Sequence, residues 1–153
     1  MDARIRRLQA GDTPQVLRVV ETVFKEYGLW KEHCCGLDDL RKAPLSYDGG
    51  EFLVLEADGK ILGCGGLMPR GRGVGEIRRM FLRPEARGRG FGRAILEKLV
   101  SAARKRGMRR LVLETSDRFQ DAITLYLRCG FQAGVLDEGC CNVVMFRTIS
   151  SPS

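Results

Sequence analysis

The sequence predicts a single α/β (α+β) domain, residues 1–149, built on a mixed sheet flanked by helices and followed by a tail at 150–153 that frays. Three observations carry this. The chain has 153 residues, 44% of them hydrophobic and 29% charged, the size and mix of one globular domain. Short apolar runs are joined by turn residues, with Asp58-Gly59 as a clear hairpin signal. Two stretches of helical period lie between strand-like runs in the second half, and hairpins together with crossovers require a mixed sheet.

Residues 4–8 alternate and open the fold as a strand. Asp12 or Thr13 caps a helix with Pro14 in its first turn, and Val16, Val19, Val20, Val23 and Phe24 form its apolar stripe. Residues 27–48 are irregular, with a helical hint at 37–40. Strands are expected at 52–55 and 61–68; Gly63, Gly65 and Gly66 in the second point to a bulge or to close backbone approach. A loop with Gly71, Gly73 and Gly75 leads to a strand at 76–82, ended by Pro84. Gly90 or Phe91 opens a helix to about residue 106, with Phe91, Ile95, Leu99 and Ala102 on its buried face and Gly107 as its stop. Leu111-Val112-Leu113 is a continuous apolar run, as in a central strand. Ser116 or Asp117 caps a last helix, Asp117 and Gln120 forming its capping box, and Gly130 ends it. Strands near 131–136 and 142–148 complete the order β-α-loop-β-β-β-α-β-α-β-β.

The net charge of +7 is unevenly spread. Between Arg70 and Arg110, fourteen Arg or Lys residues face three acids, Glu76, Glu85 and Glu97, an excess of eleven; the rest of the chain has twelve bases and sixteen acids, a deficit of four. Such a stretch predicts an anionic partner, a phosphorylated cofactor or nucleic acid. Phe81 and Phe91 are its only aromatic residues, too few to interleave with bases, so no nucleic-acid partner is expected. No apolar run approaches the ~20 residues of a membrane span, and no apolar stretch follows the charged start as in a signal peptide; a cytoplasmic protein without a membrane partner is expected. Cys34-Cys35 and Cys140-Cys141 are adjacent pairs, Cys64 and Cys129 stand alone, and C-x-x-C is absent. Adjacent ligands of this kind, with His33, chelate zinc poorly, so reduced thiols and no metal are expected.

Chemistry concentrates in Arg87-Gly88-Arg89-Gly90-Phe91-Gly92, between a strand and a helix. Its backbone N–H groups are little shielded by side chains, and it sets a helix N-terminus beside arginines, a combination that binds phosphate. It is neither a P-loop, lacking Gly-Lys-Ser/Thr, nor G-x-G-x-x-G. The run from Glu76 to Gly92, with its Arg87-x-x-Gly90-x-Gly92 loop, resembles the central motif of the GNAT superfamily of N-acetyltransferases, where the loop reads Gln/Arg-x-x-Gly-x-Gly/Ala. Downstream, Ala122-Ile-Thr-Leu-Tyr126-Leu-Arg-Cys-Gly130-Phe131 is similar to the family's Ala-x-x-Leu-Tyr-x-x-x-Gly-Phe signature. The two motifs stand in the family's order and spacing, and with the element order they extend the resemblance over residues 4–148.

The resemblance implies a GNAT-like acyl-CoA N-acyltransferase fold, its sheet mostly antiparallel and its central strands splayed, with acetyl-CoA as cosubstrate in the cleft between them. The backbone of Met80, Phe81 and Leu82 is then expected to pair with the pantetheine arm, much as a peptide adds to a sheet edge. The loop Arg87, Gly88, Arg89, Gly90, Phe91 and Gly92 is expected to hold the pyrophosphate. Tyr126 is implied as the acid that protonates departing thiolate, though on its helix alone it also reads as a core tyrosine. Glu76 and Glu114 stand where family members keep a carboxylate that deprotonates the amine, directly or through water; Glu76 is slightly preferred, Glu114 stays open, and either also reads as an ion-paired surface residue. Phe119 replaces an asparagine that many members set against the cofactor, so it is expected to pack on the cofactor or in the core. The family's acceptor segments correspond to 28–48 and 134–144, whose Glu32, Asp38, Asp39, Asp48, Asp137 and Glu138 favour a cationic amine or basic peptide. The expected activity is acetyl-CoA-dependent N-acetyl transfer to a primary amine of a small molecule or peptide by direct attack, in a monomer or homodimer. The alternatives are a CoA-binding regulatory module without catalysis and a basic nucleic-acid-binding protein.

Overall fold

Turn chemistry lays down the first half of the sheet. This computed structural model describes residues 2–29, 36–136 and 142–150, and of residues 135 and 136 the backbone alone. β1 (Ala3–Arg7) pairs antiparallel with β2 (Glu51–Ala57), and β2 with β3 (Lys60–Gly71). Asp58 and Gly59 turn between β2 and β3 at φ 53° and 77°, the turn hand that matches strand twist. The expected glycine loop is a second turn of this kind. Arg72 and Gly73 take φ 56° and 75°, Gly71 pairs with Val74, and β4 (Val74–Leu82) starts earlier than the sequence predicts.

Beyond β4 the chain crosses through α3 (Phe91–Lys105) and returns as β5 (Arg110–Thr115), parallel to β4. α4 (Gln120–Arg128) leads to β6 (Gln132–Leu136), and β7 (Val143–Thr148) inserts antiparallel between β5 and β6. The seven-stranded order is β1-β2-β3-β4-β5-β7-β6, and its β4·β5 pair alone is parallel among the described residues. α1 (Thr13–Glu26) and the short α2 (Asp38–Arg41) cover one face, α3 and α4 the other. The stripe of α1, Val16, Val19, Val20, Val23 and Phe24, is buried as expected, and so are Ile95, Leu99 and Ala102 of α3, while Phe91 is only half-buried.

Both signals in the glycines of β3 are realised: a Cβ on Gly63 would lie 3.0 Å from the Phe81 carbonyl oxygen, so the backbone of β4 approaches closely there. A Cβ on Gly65 would lie 2.5 Å from Met80 Sδ and 2.7 Å from Ile95 Cγ2, so only glycine lets α3 and β4 sit this close. Directly opposite is a bulge: between the pairs Gly66↔Arg78 and Cys64↔Phe81, both Arg79 and Met80 face Gly65, with Arg79 at φ 57°.

α4 begins later than its expected capping box. Ser116 Oγ accepts from the Arg118 N–H at 3.2 Å rather than capping a helix, and the Gln120 side-chain amide donates to the Asp117 carbonyl. Phe119 precedes α4 at φ −89°, ψ 63°, outside helical space. Among the described residues no helix is long and apolar enough to cross a membrane.

Candidate active site

A parted pair of strands creates the site. β4 and β5 are in register only from Val74↔Arg110 to Ile77↔Leu113; past that point each strand continues without the other. The gap opens a cavity of about 710 Å³. Glu76, Met80, Phe81, Leu82, Arg87, Gly88, Gly90, Gly92, Glu114, Phe119 and Tyr126 line it, so the fold gathers most of the residues expected from sequence. Arg89 and Phe91 are not on its wall. Arg89 stands exposed on the loop, and Phe91, the first residue of α3, packs against the α3-side core.

The glycine loop is shaped by two left-handed residues, Gly88 at φ 75° and Gly90 at φ 84°. Gly90 caps α3 without a side-chain bond, and the first N–H groups of a helix have no partners within it. The Arg87 side chain is engaged within the protein. Its Nε and Nη2 donate to the Leu82 carbonyl at 3.1 and 2.9 Å, and Nη1 and Nη2 reach the Glu26 carboxylate at 2.6 and 2.7 Å. Those bonds hold the Glu26 carboxyl below its ordinary range and tie the loop to the end of α1. For an anion the loop itself offers backbone, with Arg93 and Arg128 also on the cavity wall.

The α1 side of the cavity is aromatic. Phe81 meets Phe24 edge-on at 5.4 Å and Phe119 at 6.1 Å, and Phe119 meets Tyr27 at 4.8 Å. Phe119 therefore extends an apolar wall where an asparagine would offer polar contact. Met80 and Leu82 pack instead with the core under α3.

Burial is the one influence that shifts Tyr126, pushing its phenol above the ordinary value of 10. The ring lies 5.8 Å from that of Phe131, and the hydroxyl has no hydrogen-bond partner among the described residues. The two candidate carboxylates differ. Glu76 accepts from Arg70 Nε at 2.5 Å and has Arg78 Nε at 3.6 Å. Glu114 is exposed in the cavity, and no ion pair or hydrogen bond engages it among the described residues.

The bulge directs two successive arginines to one side. Arg79, buried, donates through Nε and Nη2 to Asp39 at 3.1 and 2.8 Å and to the Gly36 carbonyl at 2.7 Å, while Tyr47 donates to Asp39 at 2.6 Å. Burial alone would raise the Asp39 carboxyl; the bonds from Arg79 and Tyr47 and the nearby guanidinium charges outweigh it and hold it below 3.8. Burial and Asp39 together push the Tyr47 phenol up. The acids expected to attract a cationic acceptor are placed elsewhere. Asp39 is bound as above, Asp38 pairs with Arg41 at 3.4 Å, Asp48 is exposed, and none of the three lines the cavity. Glu32, His33, Cys34, Cys35, Asp137, Glu138, Cys140 and Cys141 lie outside the described residues. Among the described residues no cluster of His, Cys, Asp or Glu is arranged to hold a metal ion. The sequence reading missed Arg78, Phe24 of α1 and Tyr27 just past its end, all on the cavity wall. Alternation from Glu76 would have placed Arg78 on the same face; nothing local marks the tertiary approach of α1.

Comparison with known proteins defines the class as acetyltransferase. Residues 17–131 match the profile of the Acetyltransferase (GNAT) family. The chain is 31% identical over 158 residues to the uncharacterised N-acetyltransferase YjgM of Escherichia coli K12, across 95% of this chain and 94% of that protein. Its fold matches an acetyltransferase of the GNAT family from Staphylococcus aureus Mu50 with a TM-score of 0.89 at 18% identity, covering 97% of this chain and 100% of the other. The PaiA N-acetyltransferase of Thermoplasma acidophilum, solved in complex with coenzyme A, gives a TM-score of 0.79 at 19% identity over 97% and 100% of the two chains. A phosphinothricin acetyltransferase of Sinorhizobium meliloti, in complex with AcCoA, gives 0.77 at 22% identity over 97% and 89%. The chain belongs to the acetyltransferase (GNAT) family and is an N-acetyltransferase.

Proposed function

We propose that this enzyme transfers the acetyl group of acetyl-CoA to a primary amine by direct attack. The observation that carries the reading is the open edge of β4. From Arg78 to Leu82 it has no β5 partner, and it leads through a short turn into the left-handed glycines at the start of α3. An extended pantetheine arm fits the first feature and a pyrophosphate the second. The family match and the coenzyme A complexes of two fold neighbours support the same donor.

In this reading the N–H groups of Gly88, Gly90 and Gly92 meet the pyrophosphate, and the backbone of Met80, Phe81 and Leu82 pairs with pantetheine. Glu114 takes the proton of the bound ammonium group, because Arg70 already engages Glu76. The free amine attacks the thioester carbonyl, and backbone N–H groups on the open edge of β4 stabilise the oxyanion. As the C–N bond forms and the C–S bond breaks, Tyr126 gives its proton to sulfur and the attacking nitrogen releases its second proton to solvent. The products are an acetamide and the free CoA thiol, and solvent restores Glu114 and Tyr126. An ordinary thiol has a pKa of ~8.5, below that of a raised phenol, but apolar surroundings raise a departing thiolate too. Incubation with acetyl-CoA and amine panels, read as free thiol, tests the reading. The absence of acceptor-dependent CoA release across those panels would refute it.

A further inference from the structure

Arg78 is set apart from the arginines around it. Arg79, Arg87 and Arg70 make hydrogen bonds of 2.8, 2.6 and 2.5 Å to Asp39, Glu26 and Glu76. The carboxylates nearest Arg78 are Glu76 at 3.6 Å and Asp39 at 4.0 Å, too distant for the short bonds that guanidinium and carboxylate form when free to meet. Its hydrogen bond is to the Met68 sulfur at 3.6 Å, a weak acceptor. A guanidinium carries five donors, and this side chain is 23% exposed on the cavity wall, so its remaining donors are turned to whatever fills the cavity.

Its position adds to this. Ile77 and Leu113 form the last register pair before the strands part, and both are buried in the core under α3. Arg78 and Glu114 follow one step later, on the opposite face by alternation, one on each lip of the gap. Both line the cavity and no ion pair joins them, so a cation and an anion face one opening across its width.

We propose that the acceptor is an amine bearing a carboxylate a few bonds from its nitrogen, the α-amino acid class, with Arg78 selecting the carboxylate while Glu114 receives the ammonium group. This rests on the acetyl-transfer reading above and departs from the cationic acceptor that the loop acids favour. Around Arg78, the guanidinium groups of Arg70, Arg78 and Arg79 outnumber the carboxylates of Glu76 and Asp39, a balance that disfavours a polycation.

The test is a panel of common α-amino acids, each set against the amine that lacks its carboxylate, with polyamines and lysine peptides alongside. Initial rates of CoA release are measured, and in parallel the equilibrium binding of each pair to enzyme preloaded with CoA. A charged hydrogen bond predicts a preference of about 10- to 100-fold for the carboxylate member. Arg78→Gln should bring that ratio within about threefold, Arg78→Lys should keep part of it, and CoA affinity should stay unchanged in both. The lysine variant keeps the charge beside Glu76 and serves if the glutamine variant does not fold. A carboxylate preference in binding without turnover supports this inference and overturns the transfer reading. Turnover with equal rates, or with polyamines preferred, overturns the inference and leaves the transfer reading standing. A preference that survives Arg78→Gln overturns the role of Arg78, and failure of every amino acid to bind or react overturns the proposal.

Discussion

Tyr126→Phe separates chemistry from packing more sharply than any other substitution in this fold. The hydroxyl is buried and, among the described residues, has no hydrogen-bond partner, so the folded protein gains nothing from it beyond the ring. A buried polar group without a partner costs about 1–3 kcal/mol. Phenylalanine should therefore leave stability unchanged or raise it by up to that amount, and about 1 kcal/mol corresponds to roughly 2–4 °C in a domain of this size. The contact with Phe131 at 5.8 Å is retained. Catalysis should move the other way. Loss of a positioned general acid lowers kcat by about 10²–10⁴-fold while acetyl-CoA affinity holds. Alkaline stability gives a further signature. Burial raises this phenol, so the native state holds the proton more tightly than the unfolded chain. Its contribution is complete below a pH of about 10 and is lost as pH rises beyond that, a decline the phenylalanine variant lacks. Thermal melts, urea titrations from pH 8 to 11 and steady-state thiol release decide the matter. Activity within twofold of the parent would remove Tyr126 from the reaction. Destabilisation beyond about 1 kcal/mol would show that the hydroxyl makes a stabilising hydrogen bond after all.

The carboxylates divide similarly: Glu114→Gln should lower kcat by about 10²-fold or more and Glu76→Gln by less than about tenfold, and the reverse order in thiol-release kinetics would transfer the base role to Glu76. Asp39→Ala removes the carboxylate partner of the buried Arg79 and should cost about 3–5 kcal/mol in urea unfolding, whereas a loss under about 1 kcal/mol would show that the remaining bonds of Arg79 satisfy its charge. Because the Asp39 carboxyl is held low, its stabilisation is complete above a pH of about 4 and is lost as pH falls below its folded value; acid titration of the parent against Asp39→Asn measures this. Gly90→Ala puts a Cβ into open space at φ 84°, so backbone strain of about 1–2 kcal/mol is the stability cost, and the redirected loop should raise the acetyl-CoA KM about tenfold. An unchanged KM in a folded Gly90→Ala protein would detach the loop from the cofactor.

Local rules were legible in the sequence and their tertiary consequences were not. Asp58-Gly59 announced its hairpin because that dipeptide accepts positive φ at low cost, whereas Arg72-Gly73 makes the same turn with a residue that gives no such signal. The stripes of α1 and α3 could be read from period, and so could the glycine loop. The glycines of β3 pointed to a bulge, but its place at Arg79 on the neighbouring strand could not be read, since it depends on how α3 meets Gly65 across the sheet. Ser116 and Asp117 form a sound capping pattern, yet α4 starts after them: Ser116 closes a local turn, and Phe119 is held in the aromatic wall between Tyr27 and Phe81. The acids of residues 28–48 looked available to a cationic acceptor because sequence shows charge and not its partners; Asp39 is half-buried and bound by Arg79.

The same distinction explains the concentrated basic charge. The excess of eleven between Arg70 and Arg110 is met in space by acids from outside that stretch: Glu26 on Arg87, Asp39 on Arg79 and Glu51 near Arg106. The segregation along the chain is partly cancelled by folding, and the pairs fix α1, α2 and β2 around the parted strands. Each of these pairs is intramolecular, so basicity along the sequence is no direct measure of affinity for an external polyanion. The bulge makes the division at single-residue scale. It turns Arg78 and Arg79 to the same side of β4, where Asp39 lies 2.8 Å from one and 4.0 Å from the other. Asp39 is committed to Arg79, and that commitment leaves the guanidinium of Arg78 with no carboxylate nearer than Glu76 at 3.6 Å, on the wall of the cavity where an acceptor must enter.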